Sequence, residues 1–338
     1  MEKITYLLGA GASAQILPLI KDQILGRPGL PTALENFVSI KMGDIVERSS
    51  WSQEQFKKLT LIIQKCKSFR TPDLAAKYYL EKKDLGNYLL IKKLISHYFS
   101  DFESSFDLTG TGFEGKNIDS RVIPFLTTIS EKNKIPKNIK IISWNYDTQI
   151  EMGSKELYAV SGVNDFDENF HAWPSKFTDK DKVDKDFLLL HLNGISGYLY
   201  SERNLASKIE SPFNFSEPGE PLLSFAWEDD SSFNKNTFTE KRIDLAKKMI
   251  EGTTVLVVIG YSFPFFNRKI DSQLFSFMRN TLKKIYFQDP VLDGQSLFSQ
   301  FDLIKDKKEF MEIGPAGRII TEIVHIQNVE QYYVPFEL

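Results

Sequence analysis

The residues of this chain whose types and spacing could carry chemistry fall into short polar clusters, each directly behind an apolar run. The first, Leu7 to Ser13, reads LLGAGAS. Its small residues at Gly9, Ala10, Gly11 and Ala12 let the main chain approach a pyrophosphate, and amides at a following helix start can bind its charge. The plainer reading is a tight strand-to-helix connection, and the third glycine of the usual dinucleotide fingerprint is missing. The second cluster, Ile141 to Asp147, reads IISWNYD and sets Asn145 and Asp147 where ribose hydroxyls could be bound, or where both would cap the next helix in an Asx turn. The third, Ile259 to Pro264, reads IGYSFP and places Gly260 and Ser262 behind another apolar run, its plainer reading being a turn ended by Pro264. In LHLNG, His191 supplies an imidazole that can take a proton near neutrality, and Asn193 an amide that cannot. Three such clusters in one chain favour a shared nucleotide site over three unrelated turns.

Bringing these clusters to one edge requires parallel strands. Runs rich in aliphatic and β-branched residues recur at Ile4–Leu8, Ile139–Ser143, Phe187–Leu192, Thr253–Ile259 and Lys284–Gln288, with helical patterns between them. That alternation predicts an α/β fold with a Rossmann-like parallel sheet, whose ligands lie beyond the carboxyl ends of its strands. Between Leu90 and Phe102 the residues Ile91, Leu94, Ile95, Tyr98, Phe99 and Phe102 form one apolar helical face. A helix from about Glu240 presents Ile243, Ala246, Met249 and Ile250, stops at Gly252 and feeds the next strand, as a crossover unit would. From about residue 22 to 138 helical patterns continue without a strand. The reading is therefore a Rossmann-like part at about 1–21 and 139–290, a large helical insertion at about 22–138 and a C-terminal extension at about 291–338.

Composition narrows the classes. A chain of 338 residues with 42% hydrophobic content can bury a sizeable core, in one large domain or two unequal ones. A net charge of −3 offers no basic field for phosphate backbones, so direct nucleic-acid binding is not expected. The opening ITYLLGAGASA and the later TVLVVIGYSF are too short to span a bilayer, and the first lacks a signal-peptide n-region; a cytoplasmic chain without membrane contact is the expectation. The single Cys66 excludes an intramolecular disulfide framework, and without paired-histidine spacing no metal is expected. Gly110, Gly112 and Gly115 repeat a dinucleotide spacing outside any strand-turn-helix context and read as a surface loop. The run Asp179 to Asp186 lacks the central glycine and final glutamate of a calcium loop and reads as a solvated linker; Ser211 to Pro221 reads as a turn-rich loop.

In order and approximate spacing, GAGAS with Leu17-Pro18, SWNYD, LHLNG at Leu190–Gly194 and IGYSFP resemble the sirtuin-like (silent information regulator type) domains. The likeness covers the sheet and its loops and is to the prokaryotic branch associated with antiphage defence, whose members degrade NAD. It implies that Gly9, Ala10, Gly11, Ala12 and Ser13 cradle the diphosphate, that Asn145 contacts the nicotinamide ribose, and that Gly260 and Ser262 lie toward the adenosine, with Asp147 and Asp289 as further candidates. NAD would be the substrate, no metal would be needed, and because unregulated NAD loss is toxic, a partner protein or a homo-oligomer would control activity. Family members usually carry His-Gly where this chain has Asn193-Gly194. His191 would sit roughly 6–7 Å back on the same strand face, reaching the site only through a shift or bulge. His171 in FHAWP is a third candidate, while His97 and His325 read as structural. The expected reaction is hydrolysis of NAD to nicotinamide and ADP-ribose, with Asn145 orienting the ribose and His191 or Asn193 meeting its hydroxyls. The alternatives are a non-catalytic NAD or ADP-ribose binding or assembly module, which Asn193 favours, and a protein deacylase, which one cysteine disfavours because such enzymes commonly hold a four-cysteine zinc.

Overall fold

Strands buried on both faces need continuous apolar runs, and the chain supplies them at Ile4–Leu8 (β1), Ile139–Ser143 (β2) and Val255–Ile259 (β8), each buried at every position. The computed structural model describes residues 2–19, 29–46, 53–104, 118–132, 134–159, 172–174, 188–200, 206–208, 219–228, 237–292, 294, 297 and 322–338. The other described strands are Ala172–Trp173 (β3), Leu189–His191 (β4), Gly194–Tyr200 (β5), Ala206–Lys208 (β6), Glu220–Leu223 (β7), Lys284–Gln288 (β9) and Glu322–Ile326 (β10). The described helices are Leu30–Val46 (α1), Gln53–Ser68 (α2), Pro72–Glu81 (α3), Leu85–Ser104 (α4), Val122–Ile129 (α5), Gln149–Ala159 (α6), Thr237–Ile250 (α7) and Arg268–Met278 (α8).

Seven strands form one sheet in the order β10-β9-β8-β1-β2-β4-β3, with every neighbouring pair parallel. Leaving out the two-residue edge strand β3, this is the doubly wound order 3-2-1-4-5-6, so the fold is α/β and Rossmann-like. The predicted runs at Ile4–Leu8, Ile139–Ser143 and Lys284–Gln288 have the observed bounds, while the other two are shorter than predicted, at Leu189–His191 and Val255–Ile259. α7 ends before Gly252, whose φ of +81° is the left-handed conformation a helix stop uses.

The chain divides into two compact units. The first combines Met1–Gln15, Ile118–Gly194 and Ala226–Leu338 around the parallel sheet. In its core Val122, Phe125, Leu126 and Ile129 of α5 pack with Tyr6, Ile139, Ile141 and Val257. The second combines Ile16–Asn117 with Ile195–Phe225, that is α1 to α4 and the small sheet β6-β5-β7. Within it the Gly197 amide donates to Ser96 Oγ at 2.8 Å, and the buried Lys92 ammonium meets Glu220 at 3.2 Å.

These boundaries differ from the sequence reading in three places. Residues 118–138 belong with the sheet, residues 195–225 belong with the helices, and the region after 291 supplies β10 to the sheet. Glu322 and His325 break the apolar run of β10, which lies at the sheet edge and is only half-buried. Pro221, read as loop, lies in β7. Gly110 to Gly115, Asp179 to Asp186 and His171 lie outside the described residues.

The segment after β10 folds back into the first unit. Gln288 Nε2 donates to the carbonyls of Asn328 and Gln331 at 2.5 and 2.7 Å, and its Oε1 accepts from the Tyr333 amide at 2.9 Å. Tyr332 is 5% exposed, packs edge-on against Phe125 and donates its hydroxyl to the Ala12 carbonyl at 2.6 Å. Replacing Tyr332 by Ala should lower stability by about 3–5 kcal/mol, because a large buried ring leaves a cavity. Tyr332→Phe should cost only about 1 kcal/mol, because Ala12 keeps a second donor. Urea unfolding of the two variants checks the ordering.

Candidate functional site

In this sheet the chain departs from β1 to β2 on one side and later to β8 on the other, so the crevice beyond the carboxyl ends of β1 and β8 is the topological switch point. The GAGAS turn lies there, wound as a short 3-10 turn over Ala10–Ser13. It packs main chain to main chain on the IGYS turn: Gly9 N donates to Ile259 O at 3.0 Å and Gly11 N to Gly260 O at 2.8 Å. A Cβ on Gly11 would stand 2.7 Å from Gly260 Cα, and one on Gly260, whose φ is +59°, would stand 2.3 Å from the Gly11 carbonyl carbon. The glycines are thus required by turn-to-turn contact, independently of any phosphate. The Ala12 and Ala14 amides also bond inside the turn, to Gly9 O at 2.9 Å and Gly11 O at 3.3 Å. Amides of Gly9, Gly11, Ala12 and Ala14 are therefore committed to the protein.

The far end of the turn is capped from behind. The Ala12 carbonyl accepts from Tyr332 and also from Arg121 Nη2, both at 2.6 Å. Arg121 is buried, stacks on Tyr332 with its guanidinium 5.0 Å from the ring, and is held by both oxygens of Asp119 at 2.8 and 2.6 Å. Asp119 N in turn donates to Gln149 Oε1 at 2.8 Å, and Gln149 N to Asp147 Oδ1 at 3.2 Å. The GAGAS and SWNYD loops thus share one buried polar network.

Asn145, 8% exposed at the end of β2, donates from Nδ2 to Ser13 Oγ at 3.2 Å. That bond joins the first two clusters directly. Asp147, buried, begins α6 in the Asx-type role that the plainer reading assigned it, and also bonds the Ser13 hydroxyl. Burial pushes its carboxyl up to about 6, against the pull of the Gln149 amide, Ser13 and His191.

His191, 1% exposed at the end of β4, is held at both nitrogens: Nδ1 lies 3.2 Å from the Asn145 carbonyl and Nε2 lies 2.7 Å from Glu151 Oε1. A carbonyl only accepts, so Nδ1 carries a proton, and Nε2 shares a second with the glutamate. Burial opposes the imidazolium, but Glu151, the Asn145 carbonyl and Asp147 together raise the pKa above its ordinary value. Both ring nitrogens are thus engaged within the protein, and the Nδ1 contact fixes the Asn145 main chain. Glu151 went unread in the sequence, although an acid in the first turn of the helix that follows SWNYD is a visible signal. Asn193, 7% exposed, lies in the turn after β4 and donates to the Trp144 carbonyl at 3.2 Å, while its Oδ1 is buried without a hydrogen-bond partner.

Ser13, Asn145, Asp147, Glu151 and His191 are therefore brought together, and Asn193 joins through Trp144. Ser262 is exposed beyond β8. Asp289 accepts from the Val291 and Leu292 amides at 2.9 and 2.7 Å, so its side chain closes the turn after β9. His97 is buried in α4, and His325 on β10 contacts the Asp289 carbonyl at 2.9 Å. Among the described residues no group of three or more His, Cys, Asp or Glu side chains could hold a metal ion, and no helix is long and apolar enough to cross a membrane. No protein-family model matches the chain, and no curated protein matches it.

The raised Asp147 carboxyl makes stability depend on pH. The native state holds its proton more tightly than the unfolded chain, whose carboxyl titrates near the ordinary 3.8, so its contribution is full below pH 3.8 and is lost as pH rises to about 6. Asp147→Asn should therefore gain in melting temperature relative to wild type between acidic pH and pH 7, as paired thermal melts would record.

Proposed function

We propose that this chain binds NAD across the carboxyl edge of its sheet and hydrolyses the nicotinamide–ribose bond, releasing nicotinamide and ADP-ribose. The observation that carries the reading is the direct hydrogen-bonded union of Ser13, Asn145 and the His191–Glu151 pair, contributed by or beside three strand ends. The resemblance to sirtuin-like domains of antiphage defence supports it and suggests a cytoplasmic effector that depletes NAD, controlled by a partner protein or by self-assembly.

Cleavage of this bond moves positive charge from the pyridinium ring onto the ribose, so orientation and negative potential matter more than a strong base. Asn145, held by Ser13 through its amide and by His191 through its carbonyl, orients the ribose and the attacking water. Asn193 Oδ1 accepts from a ribose hydroxyl, a role an amide oxygen can fill without taking the proton. Asp147 and Glu151 supply the negative potential that favours an oxocarbenium-like ribose. Ser13 and the uncommitted part of the GAGAS turn meet the diphosphate, with Gly260 and Ser262 toward the adenosine.

A second reading, a non-catalytic NAD or ADP-ribose binding module, is favoured by the two nitrogens of His191 being engaged and by asparagine at position 193. Deacylation remains the weakest reading, since one cysteine cannot supply a four-cysteine zinc. Nicotinamide release and calorimetric NAD binding, measured on the chain alone and with its assembly partner, separate these. Asn145→Ala should reduce turnover by about 10²-fold or more with little change in melting temperature, since its role is orientation. Turnover that persists in this variant would remove the proposed site; NAD binding without nicotinamide release in every assembled state would establish the binding module.

A further inference from the structure

Asp271 on α8 is 0% exposed and takes no part in the mechanism above. Its Oδ1 accepts from the Trp144 indole Nε1 at 3.2 Å, and its Oδ2 lies 2.8 Å from the Tyr261 hydroxyl. The two rings stack with centroids 5.9 Å apart and planes 18° from parallel. Trp144 immediately precedes Asn145, and Tyr261 immediately precedes Ser262. The main chain of Trp144 is tied on both sides, its amide to Leu8 O at 2.9 Å and its carbonyl to Asn193 Nδ2 at 3.2 Å. Tyr261 follows Gly260, whose carbonyl takes the Gly11 amide at 2.8 Å. The ends of β1, β2, β4 and β8 therefore converge on one carboxyl.

We propose that Asp271 is a positioning residue for the edge site, fixing through Trp144 and Tyr261 the spacing between the loop that carries Asn145 and the loop that carries Ser262. The use of that spacing for NAD rests on the function proposed above; the spacing itself does not. Filling this volume with an aliphatic side chain would avoid the cost of burying a carboxyl, but it would offer the indole N–H and the phenol no partner. Burial pushes the carboxyl up to about 8, against the opposing effect of the hydrogen bonds from Tyr261 and Trp144. The carboxyl accepts from both rings, Oδ1 from the Trp144 indole N–H and Oδ2 from the Tyr261 hydroxyl. Asparagine keeps the acceptor for Trp144 and presents Nδ2 to the phenol oxygen, which then accepts in place of donating, whereas leucine keeps the size and neither bond.

Amide hydrogen exchange across residues 9–13, 144–147 and 260–262, with NAD titration by calorimetry, tests the assignment. Asp271→Leu should lose protection in the 144–147 and 260–262 loops by about tenfold, the scale of one lost buried hydrogen bond, while β9 keeps its protection. NAD affinity should fall by a similar factor, and Asp271→Asn should restore both. Unchanged exchange in both loops of Asp271→Leu overturns the proposal, as does Asp271→Asn behaving like the leucine variant. If Asp271→Leu does not fold, Tyr261→Phe removes the bond to Oδ2, together with the phenol's bond to Asn267, and must raise exchange in the 144–147 loop; protection there equal to wild type overturns the proposal. Loops that respond in a protein that never binds NAD uphold the positioning role and overturn the nucleotide reading instead.

Discussion

Between β1 and β8 two main chains meet with no side chain to separate them. Gly11 and Gly260 stand so close that a methyl group on either would overlap the backbone of the other, and the bond from Gly11 N to Gly260 O closes the contact. The rest of the edge depends on this. The contact draws the turn after β1 toward the turn after β8, which sets where the 3-10 turn carries Ser13, and the Ser13 hydroxyl then becomes the point to which Asn145 is bonded. A left-handed glycine at position 260 permits the approach, since L side chains rarely adopt its φ of +59°.

Such a contact is cheap in area and costly in unpaired polar groups unless the surroundings supply partners. They come from chain segments far apart in sequence. Arg121 and Tyr332 both donate to the Ala12 carbonyl, and Asp119 and Gln149 carry the network on to Asp147. A buried guanidinium held by both carboxylate oxygens resists removal of either partner, because the one left behind would be an uncompensated charge. The GAGAS turn and the SWNYD loop are therefore mechanically one body. The segment following β10 belongs to it as firmly as the first strand does.

The central strands and the strand-end clusters were legible because burial on both faces forces continuous apolar runs, and because polar residues directly behind such runs have few other places to go. β10 was not legible: an edge strand need not be apolar throughout, and Glu322 and His325 hide it. The division of the chain was misread for a related reason. Helical periodicity identifies helices but not their partners, so α5 was grouped with the helices before it although its apolar face packs on the sheet. The sequence places Asn145 and His191 behind apolar runs but does not show their bonds. Asn145 and His191 could be named from spacing, yet only the fold shows that the imidazole faces a carbonyl and a carboxylate. Asp271 acts through Trp144 and Tyr261, the first distant in sequence, and single-sequence patterns carry no signal for such a contact.

The closed state of His191 bears on what kind of chemistry this edge suits. An imidazole engaged at both ring nitrogens, one of them by Glu151, is a poor acceptor for a ribose hydroxyl. A glycosidic bond whose leaving group is already cationic makes little demand for such an acceptor, since departure of neutral nicotinamide needs no acid and capture of an oxocarbenium by water needs little base. Such a reaction needs the ribose gripped through neutral acceptors and a negative environment for the developing charge. Asn193 Oδ1 is a buried acceptor without a donor, and the carboxyls of Asp147 and Glu151 lie around His191. Asparagine at position 193 then suits the proposed hydrolysis, in which orientation by Asn145 carries the rate.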